Sequence, residues 1–122
     1  VIADYYKEIS LGLLNSAKKN LPRSFEIKEI KVTGVFEIPI TISKNLKKFD
    51  GFIALGCVIK GKTPHFELIC SSSFNALMKL STQFGKPVAN GIITALNMKQ
   101  AIERSSSLIK ANKFSAIRRA AL

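Results

Sequence analysis

The sequence predicts an α/β domain, a three-layer αβα sandwich on an open, mainly parallel, four-stranded sheet. Two observations carry that reading. Strand-like and helix-like segments alternate in the order βαβαβαβα, the pattern of a doubly wound sheet. The run Phe52 to Ile59 is apolar at nearly every position rather than at alternate ones, as expected of a strand covered by helices on both faces. At 122 residues the chain can bury one core and not two, so residues 1–122 are read as one domain.

The elements follow in order. Val1-Ile2-Ala3 resembles the tail of a strand already under way, from which an incomplete N-terminus is expected. Ile9 to Asn20 carries a helical stripe at Ile9, Leu13, Leu14 and Ala17, with Lys18 and Lys19 at the end where they suit the helix dipole. Leu21-Pro22 stops it, and Phe25 to Val32 has the length and β-branched content of a strand. Gly34 breaks that pattern. Glu37-Ile38-Pro39 opens a second helix, since proline is tolerated in a first turn. After the Asp50-Gly51 turn and the third strand, Pro64 to Phe84 forms the longest helix, its stripe running through Phe66, Ile69, Cys70, Phe74, Leu77 and Met78. Pro87 to Ile93 is a fourth strand, and Met98 to the end gives one or two helices broken near Ser105-Ser106-Ser107.

Composition narrows the class. The longest apolar run is far too short to span a bilayer, which predicts a soluble protein. Two cysteines make no disulfide framework and no secretory signal opens the chain, so a reducing cytoplasm is expected. The charge of +11, from 19 Lys plus Arg against 8 Asp plus Glu, favours anionic ligands without specifying a fold. Lys18-Lys19, Lys44, Lys47-Lys48 and Lys60-Lys62 are dispersed and no nucleic-acid motif accompanies them. For most of them a solvated face is the better reading, and no specific nucleic-acid or membrane partner is expected.

Doubly wound sheets bind ligands at the carboxyl ends of their strands. Four loops there hold the chemically useful residues: Asp4-Tyr5-Tyr6, Thr33 to Glu37, Lys60 to His65, and Asn90-Gly91 at the expected end of the fourth strand. In the third loop Thr63 suits an N-cap, Pro64 a first helical position, and Gly61 close backbone approach. The turn amides make a natural phosphate site, Lys60 or Lys62 can add charge, and His65 is placed to transfer protons. A plain cap followed by a surface histidine fits the same residues. The glycine and lysine spacing excludes a Walker-type loop.

Two blocks then carry a family resemblance. Val32-Thr33-Gly34-Val35-Phe36-Glu37-Ile38-Pro39 resembles the V-P-G-A-F-E-I-P signature of the lumazine synthases, and Ala54 to Phe66 is similar to their A-L-G-C-V-I-R-G-x-T-x-H-F/Y block. Pro87 to Thr94, Gln100 to Arg104 and Asn112-Lys113 resemble later segments of the family. The resemblance implies a flavodoxin-like fold. It implies condensation of 5-amino-6-(D-ribitylamino)uracil with 3,4-dihydroxy-2-butanone 4-phosphate, giving 6,7-dimethyl-8-ribityllumazine, phosphate and water, with no cofactor and no metal.

Roles carry over from the resemblance position by position. Tyr6 matches the aromatic that stacks on the pyrimidine, with Tyr5 the weaker claimant. Val35, Phe36 and Glu37 match the loop that holds the ribityl chain and ring, and Cys57, Val58 and Ile59 the strand end lining the pyrimidine pocket, Cys57 as a structural residue. Lys62 and Thr63 match the phosphate loop, Arg104 the second phosphate ligand, and His65 the proton-transfer residue. Asn90 stands at a ring-contacting position often filled by Phe, and Lys113 matches the closing N-K. Thr33 replaces the usual proline and Val35 the usual alanine, Lys62 stands where many members have Ala or Glu, and Phe114 stands where glycine usually follows. The resemblance further implies a homopentamer or a multiple of it, an association with riboflavin synthase, and sites shared between subunits, with Asn90, Arg104 and Lys113 supplied by the neighbour. A catalytically weak lumazine or riboflavin binder and a polyanion-binding protein are the alternative classes.

Overall fold

The computed structural model describes residues 1–107. Strands β1 (Ile2–Ala3), β2 (Lys31–Val32), β3 (Phe52–Ile59) and β4 (Val88–Ala95) form one parallel sheet in the order β2-β1-β3-β4. Helices α1 (Lys7–Asn20), α2 (Ile38–Asn45), α3 (His65–Phe84) and α4 (Met98–Ser107) connect or follow them, and a 3₁₀ turn, Val35–Glu37, leads into α2. The α/β expectation, four parallel strands between helices, holds. Lys113, Asn112 and Phe114 lie outside the described residues.

Strand alternation explains the two cores. Leu55 and Cys57 on one face of β3 join Ile9, Leu13 and Ala17 of α1 and Ala101 of α4. Phe52 and Ala54 on the other face meet Ile38 and Ile42 of α2 and Leu77 of α3. With both faces of β3 covered, its apolar content needs no alternation. Gly56 sits where the 3₁₀ turn crosses the sheet. A Cβ there would lie 2.8 Å from Val35 Cγ2 and 3.1 Å from Ala3 Cβ, so glycine permits the close approach.

Several features differ from the sequence reading. The strand expected over Phe25 to Val32 is confined to Lys31–Val32, the residues that pair with Ile2 and Ala3 of β1. Phe25 instead closes a turn, its N–H donating to the Pro22 carbonyl at 3.1 Å. Helix α3 begins at His65 with Pro64 as its N-cap and no side-chain cap, so Thr63 is not the cap and Pro64 is not the first helical residue. Met78, expected in the apolar stripe, is 66% exposed; Leu77 of that stripe is buried as expected, together with Ser73, one turn before it. Gly85, with φ of 64°, ends α3 in the left-handed conformation that glycine adopts without strain.

Candidate active site

Because every strand is parallel, all four carboxyl ends lie on one edge of the sheet. The strand order reverses direction between β1 and β3, which is the topological switch point where such sheets form a crevice. The segment after β1, Asp4 to Tyr6, and the segment after β3, Lys60 to Pro64, flank that crevice, and the 3₁₀ turn stands beside it.

The residues after β1 divide the two tyrosines. Ser10 anchors the start of α1, its hydroxyl donating to the Ala3 carbonyl at 2.9 Å and its N–H to the Tyr6 carbonyl at 2.8 Å. Tyr6 is half-buried against the α1 core, and burial, with smaller contributions from Cys57 and Tyr5, raises its phenol above the usual value. Tyr5 is 74% exposed. Its ring meets that of Tyr6 edge to face, centroids 4.9 Å apart at 82°, a favourable aromatic geometry.

The 3₁₀ turn divides its residues in the same way. Val35 is buried in the core, so its side chain is not on the crevice. Phe36 is 62% exposed, and Glu37 is exposed with its carboxylate folded back over Gly34, 2.9 Å from where a Cβ would stand. A recess of about 380 Å³ runs behind Phe36 and Glu37 to Ile40, Ser73 and Ala76 of the neighbouring helices. The buried Ser73 hydroxyl there has no protein partner.

Strand β3 delivers the third group. Cys57 is buried, and desolvation pushes its thiol up to about 11, which keeps it protonated and unsuited to nucleophilic attack. Val58 and Ile59 are half-buried at the strand end. Lys60, Gly61, Lys62, Thr63 and His65 are exposed. Lys60 Nζ stands 3.5 Å from the Glu67 carboxylate, leaving Lys62 as the loop cation with no acidic side chain against it. The uncapped first turn of the 20-residue α3 presents backbone amides and the positive end of its dipole to this loop, so the segment can hold an anion beside His65.

The fourth strand brings one correction. Asn90 is not at its carboxyl end but is the third of eight residues, half-buried, paired opposite Ala54, with its Oδ1 accepting the Ile92 N–H at 2.9 Å. The connection at the carboxyl end is Leu96-Asn97. Asn97 Oδ1 accepts the Gln100 N–H and Gln100 Oε1 accepts the Leu96 N–H, each at 2.9 Å, a reciprocal cap legible as N-x-x-Q ahead of α4. That cap fixes the helix carrying Arg104, whose Nη1 donates to the Thr94 carbonyl at the end of β4.

A family model described as 6,7-dimethyl-8-ribityllumazine synthase matches residues 1–122. The chain belongs to this family. Relatives bearing the same name include proteins of Buchnera aphidicola subsp. Schizaphis graminum, 38% identical over 88% of this chain and 72% of the relative, and of Bartonella tribocorum, 40% identical over 86% and 72%. A third, from Corynebacterium efficiens, is 38% identical over 67% of this chain and 52% of its own length. The chain thus spans about half to three quarters of the length of these relatives. Among the described residues no helix is long and apolar enough to cross a membrane.

Proposed function

We propose that the chain condenses 5-amino-6-(D-ribitylamino)uracil with 3,4-dihydroxy-2-butanone 4-phosphate to give 6,7-dimethyl-8-ribityllumazine, phosphate and water, a step of riboflavin biosynthesis. The observation that carries this reading is the switch-point crevice, where the Tyr5-Tyr6 segment, the 3₁₀ turn and the Lys60–His65 loop lie on one edge of the sheet. The butanone phosphate is held by the amides at the start of α3 with Lys62 and Thr63, and Arg104 is the second phosphate ligand. Phe36 and Glu37 receive the ribitylaminouracil, Glu37 accepting from sugar hydroxyls. Val58 and Ile59 line the pocket, while Val35 and Cys57 act from the core, shaping its wall.

The 5-amino group attacks the ketone and loses water to form an imine. C3 then loses its proton as phosphate leaves C4, and the enol so formed tautomerises to a ketone at C3. The ribitylamino nitrogen attacks that ketone with loss of a second water to close the ring. His65 moves protons between these steps, and the shared pocket supplies proximity. Stacking on the pyrimidine falls to Tyr5, whose ring is exposed, with Tyr6 supporting it edge-on from the core.

The working form is a cytoplasmic homopentamer or a multiple of it, associating with riboflavin synthase. The register of the sheet supports a site shared between subunits: Asn90 lies opposite Ala54, five residues before the end of β3, or roughly 16 Å from its own His65 loop. For Asn90 to touch a ligand held by that loop, it must come from a second copy, and Arg104 and Lys113 are assigned to the same neighbour. The test is the formation of the fluorescent lumazine by wild type and His65→Ala. Turnover is expected to fall about 10²–10⁴-fold in the variant, the usual weight of a positioned acid–base group, with pyrimidine binding retained. A folded wild-type oligomer that binds the pyrimidine without turning over would replace the enzyme with a binding protein.

A further inference from the structure

Basic residues that stand apart in the sequence are gathered by the fold. The connections leading into the amino ends of the strands, opposite the crevice, carry Lys19, Arg23, Lys28 and Lys31 on the approach to β2. Lys44, Lys47 and Lys48 lie on the approach to β3. All seven are exposed. They face one end of the molecule, since Lys28 and Lys48 line the same cleft, of about 920 Å³. Two further cations there are engaged, Lys18 with Glu29 and Lys86 with the Leu46 and Phe49 carbonyls. The acidic residues of these connections are Glu26, Glu29 and Asp50, too few to balance them. At the crevice edge, by contrast, the cations Lys7, Lys60, Lys62, Lys99 and Arg104 are equalled in number by the acids Asp4, Glu8, Glu37, Glu67 and Glu103.

We propose that this amino-terminal edge is a second binding surface, for the phosphodiester backbone of nucleic acid, without sequence preference. The cations come from two connections spread along the sheet edge, in strands spaced roughly 5 Å apart, which suits the repeated charges of a polyanion. A protein partner is disfavoured because such interfaces rest on clustered aromatic and apolar anchors, and among the described residues this edge exposes only Ile27 and Phe84 of its large apolar side chains, from separate connections. No aromatic platform accompanies the lysines, so backbone charge is read and bases are not.

The test is fluorescence anisotropy of the full, assembled chain with a labelled oligouridylate of roughly 20 nucleotides and a DNA strand of the same length. Both are expected to bind, with log affinity falling linearly in log salt between about 50 and 200 mM. Lys44→Gln/Lys47→Gln/Lys48→Gln should flatten that slope by about 2, from about 0.7 per lost phosphate contact on a single strand, and leave lumazine formation unchanged. Lys28→Gln/Lys31→Gln, on the other connection, should flatten it by about 1 and covers the case in which the triple variant fails to fold. Binding that survives both variants and is lost in Lys62→Gln would assign the nucleic acid to the crevice and overturn the proposal. Failure to bind either strand, with capture of polyglutamate instead, would make the edge a docking surface for acidic protein.

Discussion

The two edges of the sheet are built from the same chain by opposite rules. The carboxyl edge is balanced in charge and, although Lys60 pairs with Glu67 and Arg104 donates to the Thr94 carbonyl, it leaves several groups open: α3 starts without a side-chain cap, Tyr5 and Phe36 stand in solvent, and Lys62 has no acidic side chain against it. The amino edge is strongly basic, yet it spends polar groups on holding the chain together. Lys86 donates to the Leu46 carbonyl and, at 2.7 Å, to the Phe49 carbonyl, and Lys18 pairs with Glu29 across the end of α1. Net charge therefore fails to mark the edge proposed to carry the chemistry. Unsatisfied groups at a topological switch point mark it better, because a site must bind something other than itself.

The largest test of that contrast is Gly56→Ala. The added methyl would meet Val35 and Ala3 well inside contact distance, and overpacking of this kind costs about 1–3 kcal/mol. Because Val35 opens the 3₁₀ turn that presents Phe36 and Glu37, the shift should also lower lumazine formation. Thermal melting and turnover should fall together. Loss of stability with full activity would mean that the turn does not position the site.

How much could be read from the sequence follows the same division. The bounds of β3 and the far end of α3 are legible, because a two-sided apolar run and a long helical stripe are local patterns. The Lys60–His65 loop is legible for its glycine, proline and histidine. Other features depend on distant contacts. Within Phe25 to Val32 the strand is set by pairing with β1, at Lys31 and Val32, while Phe25 closes a turn. Asn90 looks like a turn residue beside Gly91, but eight residues pair with β3 around it. The separation of Tyr5 from Tyr6 rests on which ring meets the α1 core, and the gathering of dispersed lysines on sheet order; neither has a local signal.

Cys57 sharpens the comparison from the core. Burial raises its thiol to about 11 from an ordinary 9, so the folded state keeps a proton that the unfolded state surrenders. The stabilisation is complete below about pH 9 and is lost as pH rises towards 11, at most about 2–3 kcal/mol. Cys57→Ala, though less stable at neutral pH, should lose less melting temperature across that window than wild type. An identical alkaline decline in both would show that the thiol does not carry it.

The tyrosines test the division within the carboxyl edge. Tyr5→Ala should weaken pyrimidine binding by about tenfold, the scale of an aromatic contact, with little change in melting temperature because the ring is exposed. Tyr6→Ala should do the reverse first, lowering stability through the α1 core. If Tyr6→Ala alone weakens binding in a stably folded protein, stacking belongs to Tyr6 and the exposed ring is incidental.

The smallest effect is expected at the amino edge. A hydrogen bond from Lys18 is the main reason that the Glu29 carboxyl is held below its ordinary value. Its contribution is present at neutral pH and fades as pH falls through that lowered value, where the folded state must take up the proton. Both groups are solvated, and exposed pairs contribute little. Glu29→Gln should therefore leave turnover unchanged and move the melting temperature barely, with the difference from wild type vanishing in acid and shrinking in salt. A loss of lumazine formation in Glu29→Gln would contradict the division itself, because it would couple the basic edge to chemistry at the far end of the strands.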